Sequence, residues 1–282
     1  MRSFFCFLLI LCAPVCQANI KVATLDWTVA ETLIALNHPP VAVGDKPAYR
    51  IWVGTPALPA ETIDLGLRLQ PNKESVARLK ADRFMNSDLF ASFSADLAES
   101  APVSIVNFYQ SGDPWRNMEN ATRSIGRLVH KQAESEHLID RTLRQFEQTK
   151  RRVAPYSSRP FAIVQFIDTR HLRFYSNRSL FGMVLEKLGL RNAWQGSGSV
   201  WGSENLSITA LADLPENTRL IVVKPHPANI ENALKFNSLW QHLPLSEDPL
   251  ILPATWTFGA LPSALIFAER LEYALQHGGE AW

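Results

Sequence analysis

Residues 115–153 read WRNMENATRSIGRLVHKQAESEHLIDRTLRQFEQTKRRV. The stretch contains no proline and a single glycine, Gly126, and it is rich in Arg, Glu, Gln and Lys. Two helices meeting near His130 are expected. In the second, Ile139, Leu143 and Phe146 recur at helical spacing, while Glu134, Glu136, Arg144, Glu147 and Lys150 face water. A flexible linker is Gly- and Ser-rich and a semi-rigid spacer is Pro-rich. This segment is neither, so it reads as a rigid helical connector.

Strand and helix patterns alternate on both sides of it. Upstream, residues 20–25 are an apolar strand candidate, Thr28 and Glu31 have the spacing of a capping box opening a helix through Asn37, and residues 41–43 form a second strand. Asn72 is placed to cap a helix carrying Val76 and Leu79, followed by an apolar segment near Phe84 and a strand at 103–108. Downstream come a strand at 161–167, a helix at 179–188, a strand at 220–224, a short helix near Ile230, a strand at 250–252 and a closing helix from Phe258 to about Gln276. Such alternation implies parallel sheet with helices on its faces. The expected fold class is α/β, two Rossmann-like lobes joined by one long rigid α-helix. The expected divisions are a signal peptide at 1–18, an N-terminal lobe at 19–130, a linking helix at 131–153 and a C-terminal lobe at 154–282.

The first 18 residues carry Arg2, an apolar run from Phe4 and the ending Cys16-Gln17-Ala18, the pattern of a secretory signal cleaved after Ala18. The apolar run is shorter than the roughly 20 residues that span a bilayer. Lipid attachment at Cys12 or Cys16 is the alternative, disfavoured because bulky Leu11 and Val15 stand where lipidation prefers a small residue. All three cysteines, Cys6, Cys12 and Cys16, fall in this segment. The mature chain would therefore have no disulfide, thiolate metal site or cysteine nucleophile. Without Arg2 the 28 basic residues become 27, equal to the 27 acidic ones. That balance argues against a nucleic-acid or membrane-surface partner.

The candidate binding residues surround residues 49–74, YRIWVGTPALPAETIDLGLRLQPNKE. Trp52 and Arg68 flank an apolar segment there, and an aromatic face with a guanidinium fork suits a planar, oxygen-rich ligand. Apolar Leu67 and Leu69 on either side of Arg68 suggest a guanidinium entering a partly desolvated cleft. Trp52, Trp201 and Trp256 all sit among glycine, proline or serine in YRIWVGTP, GSGSVWGSE and LPATWTFG. Contributed by both halves of the chain, they fit one cleft lined from two sides. The run QGSGSVWGS at 195–203 lacks the Lys-Ser/Thr ending of a phosphate loop and misses dinucleotide spacing. It reads as a binding loop presenting Trp201 and Ser203. The seven histidines include no H-E-x-x-H, so a metal centre built from side chains is not expected.

In order and together, several of these blocks resemble the FhuD-type periplasmic binding proteins: residues 49–53, 63–68, Pro71-Asn72 with Glu74, Asn177 with 179–181, 192–196, 201–203, and Pro253-Ala254 with Trp256. The resemblance spans nearly the whole mature chain. It implies a long-helix-linked (class III) binding protein with limited closure that delivers ferric hydroxamate siderophores to an inner-membrane ABC permease and its ATPase. It also implies a monomer in the periplasm with no cofactor of its own, the iron being carried within the siderophore. It assigns Arg68 to the hydroxamate oxygens, Trp52, Trp201 and Trp256 to apolar walls, and Leu180 and Ser203 to the pocket lining. Phe90 stands where the family has a hydroxamate-bonding tyrosine, a hydrogen bond worth about 0.5 to 1.5 kcal/mol that Tyr49 or a water would have to replace. For permease docking, Glu74 matches the acidic position of the N-terminal lobe. Thr209 stands at the C-terminal one, leaving Glu204 or Asp213 to substitute.

Three other readings compete. Cobalamin or haem could occupy the same fold, though haem asks for a His or Tyr ligand near the cleft. A secreted hydrolase would require Asp64 or Asp45 within hydrogen-bond reach of His226, in the turn Lys224-Pro225-His226-Pro227. A cell-surface adhesion module is disfavoured by the paired-lobe pattern.

Overall fold

The computed structural model describes residues 19–282; the expected signal peptide and its cysteines lie outside the described residues. The N-terminal half holds β1 (Val22–Thr24), α1 (Trp27–Ala35), β2 (Ala42–Val43), α2 (Lys46–Trp52), β3 (Ile63–Asp64), the hairpin strands β4 (Gly66–Leu67) and β5 (Gln70–Pro71), α3 (Lys73–Arg78), β6 (Arg83–Asn86), α4 (Ser94–Ala98) and β7 (Val103–Ile105). Then come α5 (Pro114–Leu128) and α6 (Gln132–Val153). The C-terminal half holds β8 (Phe161–Phe166), β9 (His171–Tyr175), α7 (Leu180–Lys187), β10 (Ser203–Ser207), β11 (Arg219–Val223), α8 (Ile230–Lys235), α9 (Ser238–His242), β12 (Leu250–Leu252) and α10 (Leu261–His277). No helix among the described residues is long and apolar enough to cross a membrane.

Each half contains a five-stranded sheet, ordered β3-β2-β1-β6-β7 and β10-β9-β8-β11-β12. The first is parallel throughout. In the second, β8, β11 and β12 are parallel, but β9 pairs antiparallel with β8 on one side and with β10 on the other. This antiparallel pair escapes the sequence reading. His171 and Arg173 interrupt β9, and the edge strand β10 is mostly exposed, so neither carries an apolar run.

The connector is helical, as expected. Asp113 caps α5 by accepting the Trp115 and Arg116 N–H groups, with Pro114 at the first helical position. His130, at a positive φ of 57°, turns the chain between α5 and α6. One face of α6 buries Leu138, Ile139, Thr142, Phe146 and Thr149. Leu143, expected on that face, is 40 % exposed; two threonines complete the stripe, their hydroxyls satisfied by Leu138 O for Thr142 and by Glu272 for Thr149.

The largest apolar cluster crosses from one half to the other. It joins Val29 and Leu33 of α1 to Met118 and Ile125 of α5, Phe146 of α6, Phe181 of α7, and Phe267 and Leu271 of α10. Arg152 of α6 and Glu272 of α10 add an ion pair at its edge. A second departure from expectation lies at the start of α1. Asp26 is the N-cap, accepting the Thr28 N–H. Thr28 is already inside the helix, so it cannot form the expected capping box with Glu31, whose carboxyl reaches instead to the C-terminal lobe.

The two residues of α6 should respond differently to truncation. Phe146→Ala, removing a fully buried ring, should cost about 3–5 kcal/mol in urea unfolding, and Leu143→Ala less than about 1 kcal/mol.

Candidate ligand-binding site

The β4–β5 hairpin closes through the two residues Arg68 and Leu69, since Leu67 pairs with Gln70. Gly66, at φ 79°, starts it, and its carbonyl accepts the Asp45 N–H at 2.6 Å. Leu67 and Leu69 are 60 % and 64 % exposed. The apolar neighbours therefore do not mark a desolvated turn. Alternation along the hairpin sends them outward and Arg68 inward.

The Arg68 guanidinium lies 3.9 Å above the centroid of the Trp27 ring and 5.5 Å from those of Phe90 and Trp256. Trp27 is fixed by its Nε1–H, which donates to Gly44 O at 2.8 Å, and by edge contacts with Tyr49 and Trp256. Trp256 donates through Nε1 to the Thr28 hydroxyl at 3.1 Å, and that hydroxyl donates to Phe258 O at 2.8 Å. The aromatic wall continues through Phe258 to Trp201 and on to Tyr109, with centroids 5.4 and 4.8 Å apart. Gly202 pins Trp201: its φ is 70°, its carbonyl accepts the Ser176 N–H, and a Cβ there would lie 2.1 Å from Ser179 N.

Between these groups lies a cavity of about 260 Å3, walled by Asp26, Thr28, Arg68, Ser87, Asp88, Leu89, Phe108 and Tyr109 from one side and Trp201, Trp256 and Phe258 from the other. Its hydrogen-bonding groups are unequally engaged. The Asp26 carboxylate accepts from Thr28 N–H and from the Ser87 N–H and hydroxyl. The Tyr109 hydroxyl donates to Gly259 O at 2.6 Å. Arg68 makes no hydrogen bond or ion pair among the described residues. Burial draws its pKa below the ordinary arginine value, opposed by the fields of Asp26 and Asp45. An arginine so placed stays cationic at neutral pH. The site therefore presents an uncommitted planar cation on an aromatic floor.

Of the residues singled out from sequence, Arg68, Trp201 and Trp256 meet in this cavity. Phe90 is buried beneath Arg68, and its exposed neighbour Leu89 reaches the cavity instead. Trp52 ends α2 and packs at the edge of the cluster of Trp27, Tyr49 and Val53, behind the lining. Tyr49 is fully buried and donates to Pro56 O at 2.8 Å; burial pushes its hydroxyl far above the ordinary tyrosine value. That hydroxyl cannot replace a missing donor at the ligand. Leu180 begins α7 inside the shared core, and Ser203 begins β10 outside the cavity lining. Glu74 and Glu204 are exposed, Glu74 paired with Arg78 at 3.2 Å.

The sequence reading missed Asp26, Trp27, Tyr109 and Phe258. A signal existed for Asp26. Asp26 follows β1 and Ser87 follows β6, the neighbouring strands on either side of which the sheet order reverses, and open α/β sheets bind ligands outside the carboxyl ends of strands at such a switch point.

The groups considered for hydrolysis lie apart. Asp45 accepts from Ala48 N, Asp64 accepts from Lys46 N and Gly66 N, and His226 faces Pro227 O beside Trp282. Among the described residues no cluster of three His, Cys, Asp or Glu side chains is arranged to hold a metal ion.

The sequence pattern of the periplasmic binding protein family matches residues 22–244. The chain is 31 % identical over 263 residues to the iron(3+)-hydroxamate-binding protein FhuD of Escherichia coli K12, covering 93 % of this chain and 88 % of that protein. Its structure is similar to the siderophore-binding protein FhuD from Vibrio cholerae with Fe3+–Desferal bound, at a TM-score of 0.86 and 22 % identity over 93 % of this chain and 100 % of that one. It is also similar to the petrobactin-binding protein YclQ from Bacillus subtilis, at a TM-score of 0.74 and 15 % identity over 92 % of each chain. These likenesses show the two-lobed α/β fold expected from the sequence, and with a family pattern that reaches into both lobes the chain belongs to the periplasmic binding proteins.

Proposed function

We propose that this protein is a periplasmic binding protein that captures ferric hydroxamate siderophores in the cavity between its lobes and delivers them to an inner-membrane ABC permease and its ATPase. The observation that carries the reading is the uncommitted Arg68 guanidinium stacked on Trp27. A ferric tris-hydroxamate presents six oxygens that already saturate the iron. It needs no protein ligand to the metal, only a charge-assisted donor and an apolar rim. Arg68 supplies the first, and Trp201, Trp256 and Phe258 supply the second. The cavity, about 260 Å3, lies below the roughly 300–1,000 Å3 of pockets that enclose a whole ligand, so the complex would be seated by one face. Iron is thus cargo inside the ligand and the protein has no cofactor of its own. The haem alternative gains no support here: no histidine lines the cavity, and the Tyr109 hydroxyl is engaged by Gly259 O.

With Phe90 packed under Arg68, the donor that a tyrosine would add is missing, and recognition of the hydroxamate oxygens falls on Arg68. Leu180, Ser203, Trp52 and Tyr49 act behind the lining, by fixing the segments that carry Arg68, Trp201 and Trp27. The export signal at 1–18 and the division into lobes at 19–130 and 154–282 about the helix at 131–153 belong to the same reading. So do a monomeric state and docking through Glu74 and Glu204, one exposed carboxylate on each lobe.

Arg68→Ala should weaken Fe3+–Desferal binding at least about tenfold, roughly 1.4 kcal/mol, measured by fluorescence titration. Arg68→Lys should not restore it, since an ammonium lacks the planar fork; unchanged affinity in Arg68→Ala would remove Arg68 from the site. Trp201→Ala should abolish most of the ligand-dependent change in tryptophan emission, and an intact signal would move the pocket elsewhere. The double substitution Glu74→Lys with Glu204→Lys should reduce iron uptake in cells while leaving Fe3+–Desferal affinity unchanged; normal uptake would discard the docking assignment.

A further inference from the structure

Residues 253–260, between β12 and α10, carry two of the cavity aromatics, Trp256 and Phe258, and are held from both lobes. From the C-terminal lobe, Arg270 donates to the Thr255 hydroxyl at 2.7 Å and to Ala254 O. From the N-terminal lobe, the Thr28 hydroxyl bonds Phe258 O and Tyr109 bonds Gly259 O. The third tie is Glu31, whose side chain is completely buried. Its Oε1 accepts the Ala260 N–H at 2.6 Å, and its Oε2 is hydrogen-bonded to the Ser263 hydroxyl. Ala260 is the N-cap residue of α10 and has no side chain that could cap it. The cap is supplied in trans by Glu31 from the other lobe. The fit is tight: a Cβ on Gly259 would lie 2.7 Å from Glu31 Oε1.

We propose that Glu31 is a positioning residue for ligand binding: its protonated carboxyl latches the loop bearing Trp256 and Phe258 onto α1, and its ionisation loosens that latch, so that affinity falls in mildly alkaline solution. Two donors converge on this carboxyl, the Ala260 N–H on Oε1 and the Ser263 hydroxyl on Oε2, so its charge is decided by burial and not by these contacts. Burial favours the neutral form. Desolvation pushes the Glu31 pKa from 4.5 up to about 8, against the hydrogen bonds from Ser263 and Ala260 and with a further upward push from Asp26. The titratable groups facing it are Asp26 at the start of α1, Tyr49 of α2 and Tyr109 ahead of α5, and none of them supplies a positive charge. The positive end of α10 favours a carboxylate, but burial outweighs it. The folded-state value lies above the unfolded one, so the contribution of Glu31 to stability is complete below pH 4.5 and is lost as pH rises through about 8. A ligand that needs the loop in place binds the latched fraction, and its apparent affinity falls with that fraction.

The effect on affinity rests on the hydroxamate reading; the latch itself does not. The test therefore compares wild type, Glu31→Gln and Glu31→Ala from about pH 5 to about pH 9.5, reading tryptophan emission and the thermal midpoint without ligand and then Fe3+–Desferal affinity. An amide reproduces the neutral acid, its oxygen accepting from Ala260 and its nitrogen donating to Ser263, but it does not titrate. Wild type should show an alkaline transition in emission and midpoint, with about a tenfold loss of affinity, and Glu31→Gln should show neither while binding within about threefold of wild type at pH 7. Glu31→Ala should bind more weakly at every pH. Identical alkaline transitions in wild type and Glu31→Gln, or wild-type affinity in Glu31→Ala, would overturn the proposal. If wild type binds no Fe3+–Desferal at any pH, the hydroxamate reading fails, and the ligand-free transition alone supports or overturns the latch.

Discussion

The apolar core that runs without a break from α1 through α5 and α6 to α10 is the constraint on which the rest of this protein depends. Two lobes connected by flexible crossovers can swing apart at little cost. Two lobes that share Leu33, Phe146, Phe267 and Leu271 in one cluster cannot, because separation would expose buried rings and leucines at about 25 cal/mol for each Å2. The cleft is therefore largely formed before a ligand arrives, and little ordering is left to oppose binding. The same shared core brings the two halves close enough for inter-lobe contacts such as those of Thr28, Tyr109 and Glu31 to be short and buried.

Rigidity alone would leave an apolar slot. What makes the slot selective is how its charges are arranged. Asp26 lies near Arg68 and could have neutralised it, but its oxygens are taken by Thr28 and Ser87. The guanidinium instead rests on the Trp27 face, which offsets part of the cost of desolvating it, and among the described residues its N–H groups have no acceptor. An oxygen-rich, metal-saturated complex answers that need without adding a protein ligand to the metal.

Much of this was legible in the chain itself. The proline-free stretch at 115–153 announces a rigid helical connector, and the strand and helix alternation around it announces paired α/β lobes. Arg68, Trp201 and Trp256 stand out because they sit among turn-forming residues and not in a periodic apolar face. The failures have physical causes. β9 and β10 are interrupted or exposed, so they lack the apolar run by which strands are recognised. Trp52 and Tyr49 share the loop-like context of the lining tryptophans, but α2 folds their segment, turning Tyr49 into the core and Trp52 against its edge. Glu31 has the spacing of a local cap, and no local pattern reveals a partner more than two hundred residues away. Trp27, Tyr109 and Phe258 gain their roles only when the carboxyl ends of the first sheet meet the loop before α10.

The central claim is that Arg68 meets hydroxamate oxygens within a cleft already formed in the free protein. A crystal structure with Fe3+–Desferal bound tests this most directly. The account requires the iron complex between Trp201, Trp256 and Arg68, with guanidinium nitrogens about 2.7–3.2 Å from hydroxamate oxygens and the two lobes in their present relation. An iron complex seated elsewhere, or one reached only after the shared core has parted, would contradict it.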